Sequence, residues 1–139
     1  MLIVVDTNVL LVSVSSRSSY HWLYKVILDK KVGIAFTHEI LMEYEELLAK
    51  HWHVDVAINV TRSLTELSSA TLTNIYYNLN LIVDDADDNK FVDCAFAANA
   101  DFIITNDKHF NVLKGVEFPS IPILTINAFG ELLKKEGII

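Results

Sequence analysis

Short continuous runs of apolar residues recur along the chain, separated by longer segments in which apolar residues return every three or four positions. The short runs are rich in β-branched residues and do not alternate with polar ones, which is typical of strands buried on both faces of a sheet. We therefore predict five strands, at Leu2–Val5, Ile34–Phe36, Leu79–Val83, Phe102–Thr105 and Ile123–Ile126.

The longer segments have the apolar spacing of helices. The predicted helices are Tyr20–Lys30, Glu39–Lys50, a long one from Val54 to Tyr77, Asn89–Asn99 and Ala128–Lys135. Strands that alternate with helices indicate parallel pairing with right-handed crossovers. We therefore expect an α/β fold, a three-layer α/β/α sandwich around a mostly parallel five-stranded sheet.

Length and composition favour a single domain over residues 1–139. The pattern contains no strand between Glu39 and Tyr77, so we expect a helical subregion at 39–77 that projects from the sheet. The apolar fraction of 52% excludes a disordered chain. No apolar run approaches the roughly 20 residues of a membrane span, and no signal-peptide pattern begins the sequence. A soluble cytoplasmic protein is expected.

Acidic residues follow two of the predicted strands. Asp6 comes directly after "LIVV", and Asp107 follows "FIIT" with only Asn106 between. In parallel sheets ligands bind beyond the carboxyl ends of strands, and an acid there is costly unless it is hydrogen-bonded or bound to a metal. Asp6 and Asp107 are therefore candidate ligands. An ordinary helix or turn cap is the alternative for Asp6.

The helix "HEILMEYEELLAK" offers four glutamates, which its apolar stripe partly sorts. Glu39 and Glu46 point away from the stripe. Glu43 and Glu45 flank it on opposite sides, where a side chain can reach a cleft beside the core. The helical wheel does not choose between them, and a solvated glutamate is the alternative for both.

The stretch "DDADDNKFVD" contains five carboxylates. Asp88 begins a predicted helix at the border of its apolar stripe, so it can cap the helix, bind a metal, or do both. Asp84, Asp85 and Asp87 precede the helix and are interpreted as turn, cap or solvated residues. The wheel turns Asp93 away from the core.

The net charge of −7 argues against a protein that binds nucleic acid through a basic surface. Acids that hold divalent cations are an exception, because the bound ions invert the local charge. Several acids in one cleft cannot all stay ionised without a cation. A pair of Mg²⁺ or Mn²⁺ ions would resolve this, and would activate a water for attack on phosphorus and stabilise the leaving oxygen.

The motifs "VVDTNVL", "EILMEYEELL", "DDNKFVDCAFAANADFIITNDKHF" and "IPILTINAF", in this order, resemble the PIN-domain family, and in particular its VapC-like toxin ribonucleases. The resemblance covers essentially the whole chain. It implies a metal-dependent ribonuclease on a Rossmann-like sandwich, in which Asp6, Glu43, Asp88 and Asp107 are the family acids, and it favours Glu43 over Glu45. Many members are homodimers paired with an antitoxin protein, so RNA, an antitoxin and a second copy are the implied partners.

The resemblance also implies supporting residues. Asn8 matches a polar position near the metal, and Thr105 matches a hydroxyl that commonly supports the last acid. Asp93 corresponds to a position that is often acidic in this branch. The chain departs from the family at Asn106, where a small residue is frequent. No arginine cluster lies near the motifs, so Arg17, Lys90 and Lys108, which flank them, are the candidates for contact with substrate phosphates.

Two other functions fit part of the pattern. An aspartate-based phosphohydrolase also has an acid after its first strand, but it normally carries a second acid two residues on, where this chain has Asn8. A non-catalytic RNA-binding or regulatory module of the same fold would be expected to have lost some of the four acids, and all are present. A zinc site at His51 and His53 is disfavoured, because residues two apart do not share a helix face. His109 is interpreted as a surface residue.

Overall fold

The computed structural model describes residues 1–83 and 85–139, so the turn role predicted for Asp84 lies outside the described residues. The strands are β1 Leu2–Val5, β2 Gly33–Phe36, β3 Ala70–Leu72, β4 Phe102–Ile104 and β5 Ile123–Leu124. The helices are α1 Thr7–Val14, α2 His21–Leu28, α3 His38–His51, α4 Val54–Glu66, α5 Asn89–Ala98 and α6 Ile126–Lys135. A 3₁₀ turn spans Ala86–Asp88 and a 3₁₀ helix spans Lys108–Gly115.

The five strands form one sheet in the order β3-β2-β1-β4-β5, and every pairing among them is parallel. Because parallel crossovers are right-handed, the helices that connect β1 to β2 and β2 to β3 lie on one face of this sheet, and α5, which connects β3 to β4, lies on the other. The last helix, α6, packs against α2 through Phe129 and Trp22, on the first of these faces. The expected three-layer α/β fold is confirmed. The strand order reverses between β1 and β4, and a crevice at such a reversal is where parallel sheets bind ligands.

The central strand β1 lies at the centre of the core. Ile3, Val4 and Val5 are each 0% exposed, as the continuous apolar run predicts. Burial of side chains of this size contributes about 1.5–3 kcal/mol each relative to exposure. The buried Tyr44 of α3 donates its hydroxyl hydrogen bond to the Val5 carbonyl, at the residue just before Asp6. The core therefore fixes the carboxyl end of β1.

The predicted strand Leu79–Val83 is wrong, and the strand in its place, β3, lies inside the segment predicted as the long helix. That helix ends at Glu66, so the helical region between β2 and β3 covers 38–66. As one of the two edge strands, β3 has Ala70 half-buried and two residues exposed. A half-exposed edge strand lacks the continuous apolar run by which buried strands are recognised.

Leu79–Val83 is not a strand: Asn80 has a left-handed φ of 52°, and side chains of α5 bond the backbone on either side of it. Asp93 Oδ1 accepts a hydrogen bond from the Leu79 N–H at 2.9 Å. Asn89 Oδ1 accepts from the Ile82 N–H at 2.9 Å, while its Nδ2 donates to the carbonyls of Ile82 at 2.8 Å and Ala86 at 3.1 Å. These side chains bond backbone groups that a neighbouring strand would otherwise bond.

Two further expectations need correction. The wheel turned Asp93 away from the core, whereas Asp93 is 6% exposed. The sequence pattern assigned no helix directly after β1, where α1 occupies Thr7–Val14. This helix is too uniformly apolar to give an amphipathic signal, and its Ser13 hydroxyl is buried and donates to the Leu10 carbonyl.

No helix within residues 1–83 and 85–139 has the length and apolar character needed to cross a membrane.

The network of Asn89 predicts a large effect of Asn89→Asp. The variant keeps the acceptor but points a carboxylate at the Ile82 and Ala86 carbonyls in a buried site. We expect the free energy of unfolding to fall by about 2 kcal/mol in urea titrations. Asn59→Asp, at an exposed position of α4, is the matched control and should stay within about 0.5 kcal/mol of wild type. An equal loss in both variants would contradict this role of Asn89.

Asp93 predicts a pH-dependent difference between two substitutions. Burial raises the pKa of Asp93, while the bond from the Leu79 N–H lowers it, with a net rise. A raised pKa means that Asp93 supports folding fully at acid pH and less as pH rises through its folded value. Asp93→Asn keeps the acceptor without the charge, so we expect it to melt above wild type at pH 8 and near wild type at pH 4. Asp93→Ala should lose about 1–3 kcal/mol at both pH values. An Asn variant no more stable than Ala at pH 8 would contradict the bond.

Candidate metal centre

Asp6 and Asp107 lie together beyond the carboxyl ends of β1 and β4. The Asp6 N–H donates to the Ile104 carbonyl at 3.0 Å, which joins the two strand ends. The Thr105 hydroxyl donates to Asp6 Oδ2 at 2.7 Å and accepts from the Asp107 N–H at 3.0 Å. One threonine hydroxyl therefore links both acids, because parallel pairing of β1 with β4 aligns the two strand ends.

Asp6 is 6% exposed, so its charge is poorly solvated. Burial raises the pKa of Asp6; the hydrogen bonds from Thr105 and from the Asn8 backbone lower it, and the nearby charges of Asp107 and Glu43 raise it further. The net pKa is above that of an ordinary carboxyl group. A cation at this position would relieve both the burial cost and the repulsion.

Glu43 reaches this region from α3. Its Oε2 accepts a hydrogen bond from the hydroxyl of Thr7, the residue after Asp6, and its Oε1 lies 2.8 Å from Lys90 Nζ. Glu45 instead lines a shallow cleft with Ile58 of α4. The choice that the helical wheel left open therefore has a structural answer, since Glu43 faces the other acids and Glu45 does not.

Asp88 belongs to a tight group of possible ligands. One ligand atom from each of Asp85, Asp88, Asp107 and His109 lies within 4.8 Å of all the others. Burial raises the pKa of Asp88 to about 7, with further contributions from the charges of Asp85, Asp107 and Asp6. Among the described residues, the buried Oδ2 of Asp88 has no hydrogen-bond partner. This oxygen is available as a ligand.

Sequence reasoning missed Asp85 and His109 as members of this group. The 3₁₀ geometry places residues three apart above one another, which brings Asp85 beside Asp88. Asp85 also accepts from the Asp87 N–H at 3.3 Å, so its predicted cap role holds as well. Asp107 Oδ1 accepts from the His109 N–H at 2.9 Å, and the His109 Nδ1 lies 3.3 Å from the same oxygen. Each of these two residues joins the group because of a local turn of the backbone, which residue spacing alone does not reveal.

The supporting residues divide by position. Asn8 lines an open pocket of about 350 Å³ together with Asp6 and Asp107. Thr105 bonds both of those acids. Asp93 binds the Leu79 N–H and does not contact the acids described above. Asn106 Oδ1 accepts from the Ile126 N–H at 3.2 Å, which ties the turn after β4 to the start of α6.

The three predicted phosphate-binding cations have different surroundings. The Lys90 side chain is 8% exposed, with Nζ 2.8 Å from Glu43 and 2.9 Å from Asp87. Burial lowers the pKa of Lys90, but the hydrogen bonds to these two acids outweigh it and the net pKa is raised. Lys90 thus compensates the largely buried Glu43 and the exposed Asp87. Lys108 lines a cleft beside Asp107, and Arg17 is exposed in the loop between α1 and α2.

The donor set fits a divalent cation. Mg²⁺ and Mn²⁺ prefer carboxylate oxygens as ligands. The group offers three carboxylates and one imidazole, with the unpartnered Oδ2 of Asp88 among them. The histidines of "HWH" have other contacts, because His53 Nδ1 accepts from the Asp55 N–H and His51 packs edge-on against Trp52.

Comparisons with known proteins identify the family to which this chain belongs. No match was found among curated protein sequences. Among solved structures, the chain is similar in fold to the VapBC2 complex of Rickettsia felis bound to a DNA fragment from its promoter, with a TM-score of 0.61 and 18% sequence identity. That similarity covers 90% of this chain and 98% of the other. The family model for the PIN domain matches residues 2–109, and the chain therefore belongs to the PIN-domain family.

Proposed function

We propose that the protein is a Mg²⁺- or Mn²⁺-dependent endoribonuclease that cleaves single-stranded or loop RNA as the toxin of a toxin–antitoxin pair. The observation that carries the proposal is the group of Asp85, Asp88, Asp107 and His109 ligand atoms within 4.8 Å of one another. It lies at the strand-order reversal of a PIN-domain sheet, the position at which parallel sheets bind ligands.

Asp6, Glu43, Asp88 and Asp107 would hold the metal, with Asp85 and His109 as additional ligands. A bound divalent ion supplies a water of lowered pKa for attack on the phosphodiester and stabilises the leaving oxygen. Thr105 orients Asp6 through the bond to Oδ2, and Thr7 and Lys90 orient Glu43. Arg17 and Lys108, outside the group of acids, would pair with substrate phosphates.

The proposed partners follow from the same family. The structure of similar fold is a VapBC2 complex, which supports an antitoxin protein as the partner of this chain. A homodimer is the assembly that the family resemblance implies. RNA is the proposed substrate, and bound divalent ions would offset the acidic charge at the place where its phosphates approach.

The aspartate-based phosphohydrolase is the weaker candidate. Its nucleophile would be Asp6, which is largely buried and has Oδ2 bonded by Thr105. A carboxylate so placed is poorly exposed for in-line attack on phosphorus. A non-catalytic module would not require the acids to be kept together, yet burial and the nearby charge of Asp107 raise the pKa of both Asp6 and Asp88.

Metal binding is testable by calorimetric titration with Mn²⁺. Asp88→Asn removes a charged ligand oxygen, and we expect the dissociation constant for Mn²⁺ to rise by about tenfold or more. Asp29→Asn is the matched control, because Asp29 is exposed at the end of α2 and should leave the constant unchanged. Saturable binding that is equally strong in both variants would rule out Asp88 as a ligand.

Cleavage is testable with end-labelled single-stranded RNA and Mn²⁺. We expect Asp6→Asn and Asp107→Asn each to lower the rate by about 100-fold or more, because each removes a charge from the metal ligands. EDTA should abolish cleavage, and Asp29→Asn should cleave like wild type. Cleavage that survives both substitutions or excess EDTA would refute the ribonuclease proposal. A trapped aspartyl-phosphate at Asp6 would instead establish the phosphohydrolase.

A further inference from the structure

A second pocket adjoins the one that contains Asp6 and Asp107. Its volume is about 540 Å³, and we call it the Trp52 pocket after its most exposed aromatic residue. Asn8 and Val12 line both pockets, so the two share a wall. Pockets of this size are typical of small-molecule sites. A ligand in the Trp52 pocket would therefore lie beside the acids.

The Trp52 pocket presents an aromatic ring to solvent. Trp52 ends α3 and is 47% exposed. Its ring and that of His51 are 5.0 Å apart between centroids and perpendicular, at 85°. This edge contact orients the indole without removing it from solvent. An oriented and exposed indole is the kind of surface on which a nucleobase stacks.

Arg17 adds a positive charge to the same pocket. Within the described part of the chain, no carboxylate lies within ion-pair distance of its guanidinium. The loop that carries Arg17 is bent by a bond from the Arg17 N–H to Ser15 Oγ at 3.3 Å. An exposed guanidinium beside an aromatic ring matches a nucleotide, which carries a phosphate beside a base.

The charges continue on the far side of the acids. Asn106 and Asp107 line both the pocket that contains Asp6 and a further cleft, which is also lined by Lys108 and Lys114. The three pockets therefore adjoin in a row, with cations at both ends and acids in the middle. A single RNA strand crossing the acids would meet a cation on each side, as its repeating phosphates require.

We infer that the Trp52 pocket holds one unstacked nucleobase of the RNA, next to the phosphodiester at the acids, with Arg17 on the adjoining phosphate. This inference rests on the proposed function and names the chemistry by which that site selects its substrate. Bases inside a duplex are already stacked and cannot enter the pocket, so the subsite favours single strands. The combination of apolar wall residues with the exposed guanidinium of Arg17 favours a nucleotide over a purely apolar peptide side chain.

The test measures binding of short fluorescent single-stranded RNA by anisotropy, on the Asp107→Asn background so that the RNA is not cut. We expect Trp52→Ala to weaken binding about tenfold, the loss expected for one stacked base. Trp52→Phe keeps an aromatic face and should stay within about threefold of the background. Phe118→Ala, which removes an exposed aromatic packed on Phe96 at the far end of α5, should change nothing.

Oligonucleotides with one abasic position identify the stacked base. At one position, loss of the base should weaken RNA binding by the Trp52-containing protein about tenfold. The same loss should not weaken RNA binding by the Trp52→Ala variant any further. Arg17→Gln should reduce the salt dependence of binding by about one phosphate contact with every oligonucleotide.

Unchanged RNA affinity in Trp52→Ala would overturn the inference, and a peptide segment would then be the alternative occupant of the Trp52 pocket. An equal loss in Trp52→Phe, or the same further loss at every abasic position, would also overturn it. The result is independent of cleavage. A protein that binds as described but never cuts RNA refutes the proposed function alone, whereas cleavage with no effect of Trp52 refutes the subsite alone.

Discussion

Like charges held close together at the carboxyl ends of β1 and β4 are the constraint on which the site depends. Burial raises the pKa of Asp6, and burial together with the neighbouring acids raises the pKa of Asp88 to about 7. Such crowding opposes folding, so other interactions must offset it. The fully buried β1 and the Thr105 hydroxyl bonds fix Asp6, and Lys90 compensates Glu43. The hydrophobic core thus keeps together acids that would otherwise separate.

The sequence predicts those parts of the fold that are buried on both faces. The runs at β1, β2 and β4 are continuous and apolar, and the structure has strands there. The edge strand β3 escapes the pattern because one residue of three is only half-buried and the others are exposed. Leu79–Val83 resembles a strand in sequence because it is mostly apolar, but Asn80 has a left-handed φ, and side chains of α5 rather than a neighbouring strand bond its backbone. Pattern alone cannot distinguish these two sources of hydrogen bonds.

The candidate site is predictable to a similar degree. An acid directly after a buried strand is readable from the sequence, and Asp6 and Asp107 lie together as strand topology requires. Asp85 and His109 depend on a 3₁₀ turn and on a capping bond from the His109 N–H, which are features of local backbone geometry. Such turns are decided by a few residues and leave no periodic signal. Turn geometry, more than residue type, therefore limits how far the ligand set can be read.

The positions of the cations bear on the objection that the net charge raises against the proposed RNA substrate. A charge of −7 suggests a surface that repels nucleic acid. Yet Lys90 is buried among acids, whereas Arg17, Lys108 and Lys114 line the pockets on either side of them. A polyanion responds to the local field along its path, and screening reduces the effect of charges more than about 10 Å away. With divalent ions on the acids, the negative charge in the middle of that path would be largely offset, although the whole chain is acidic.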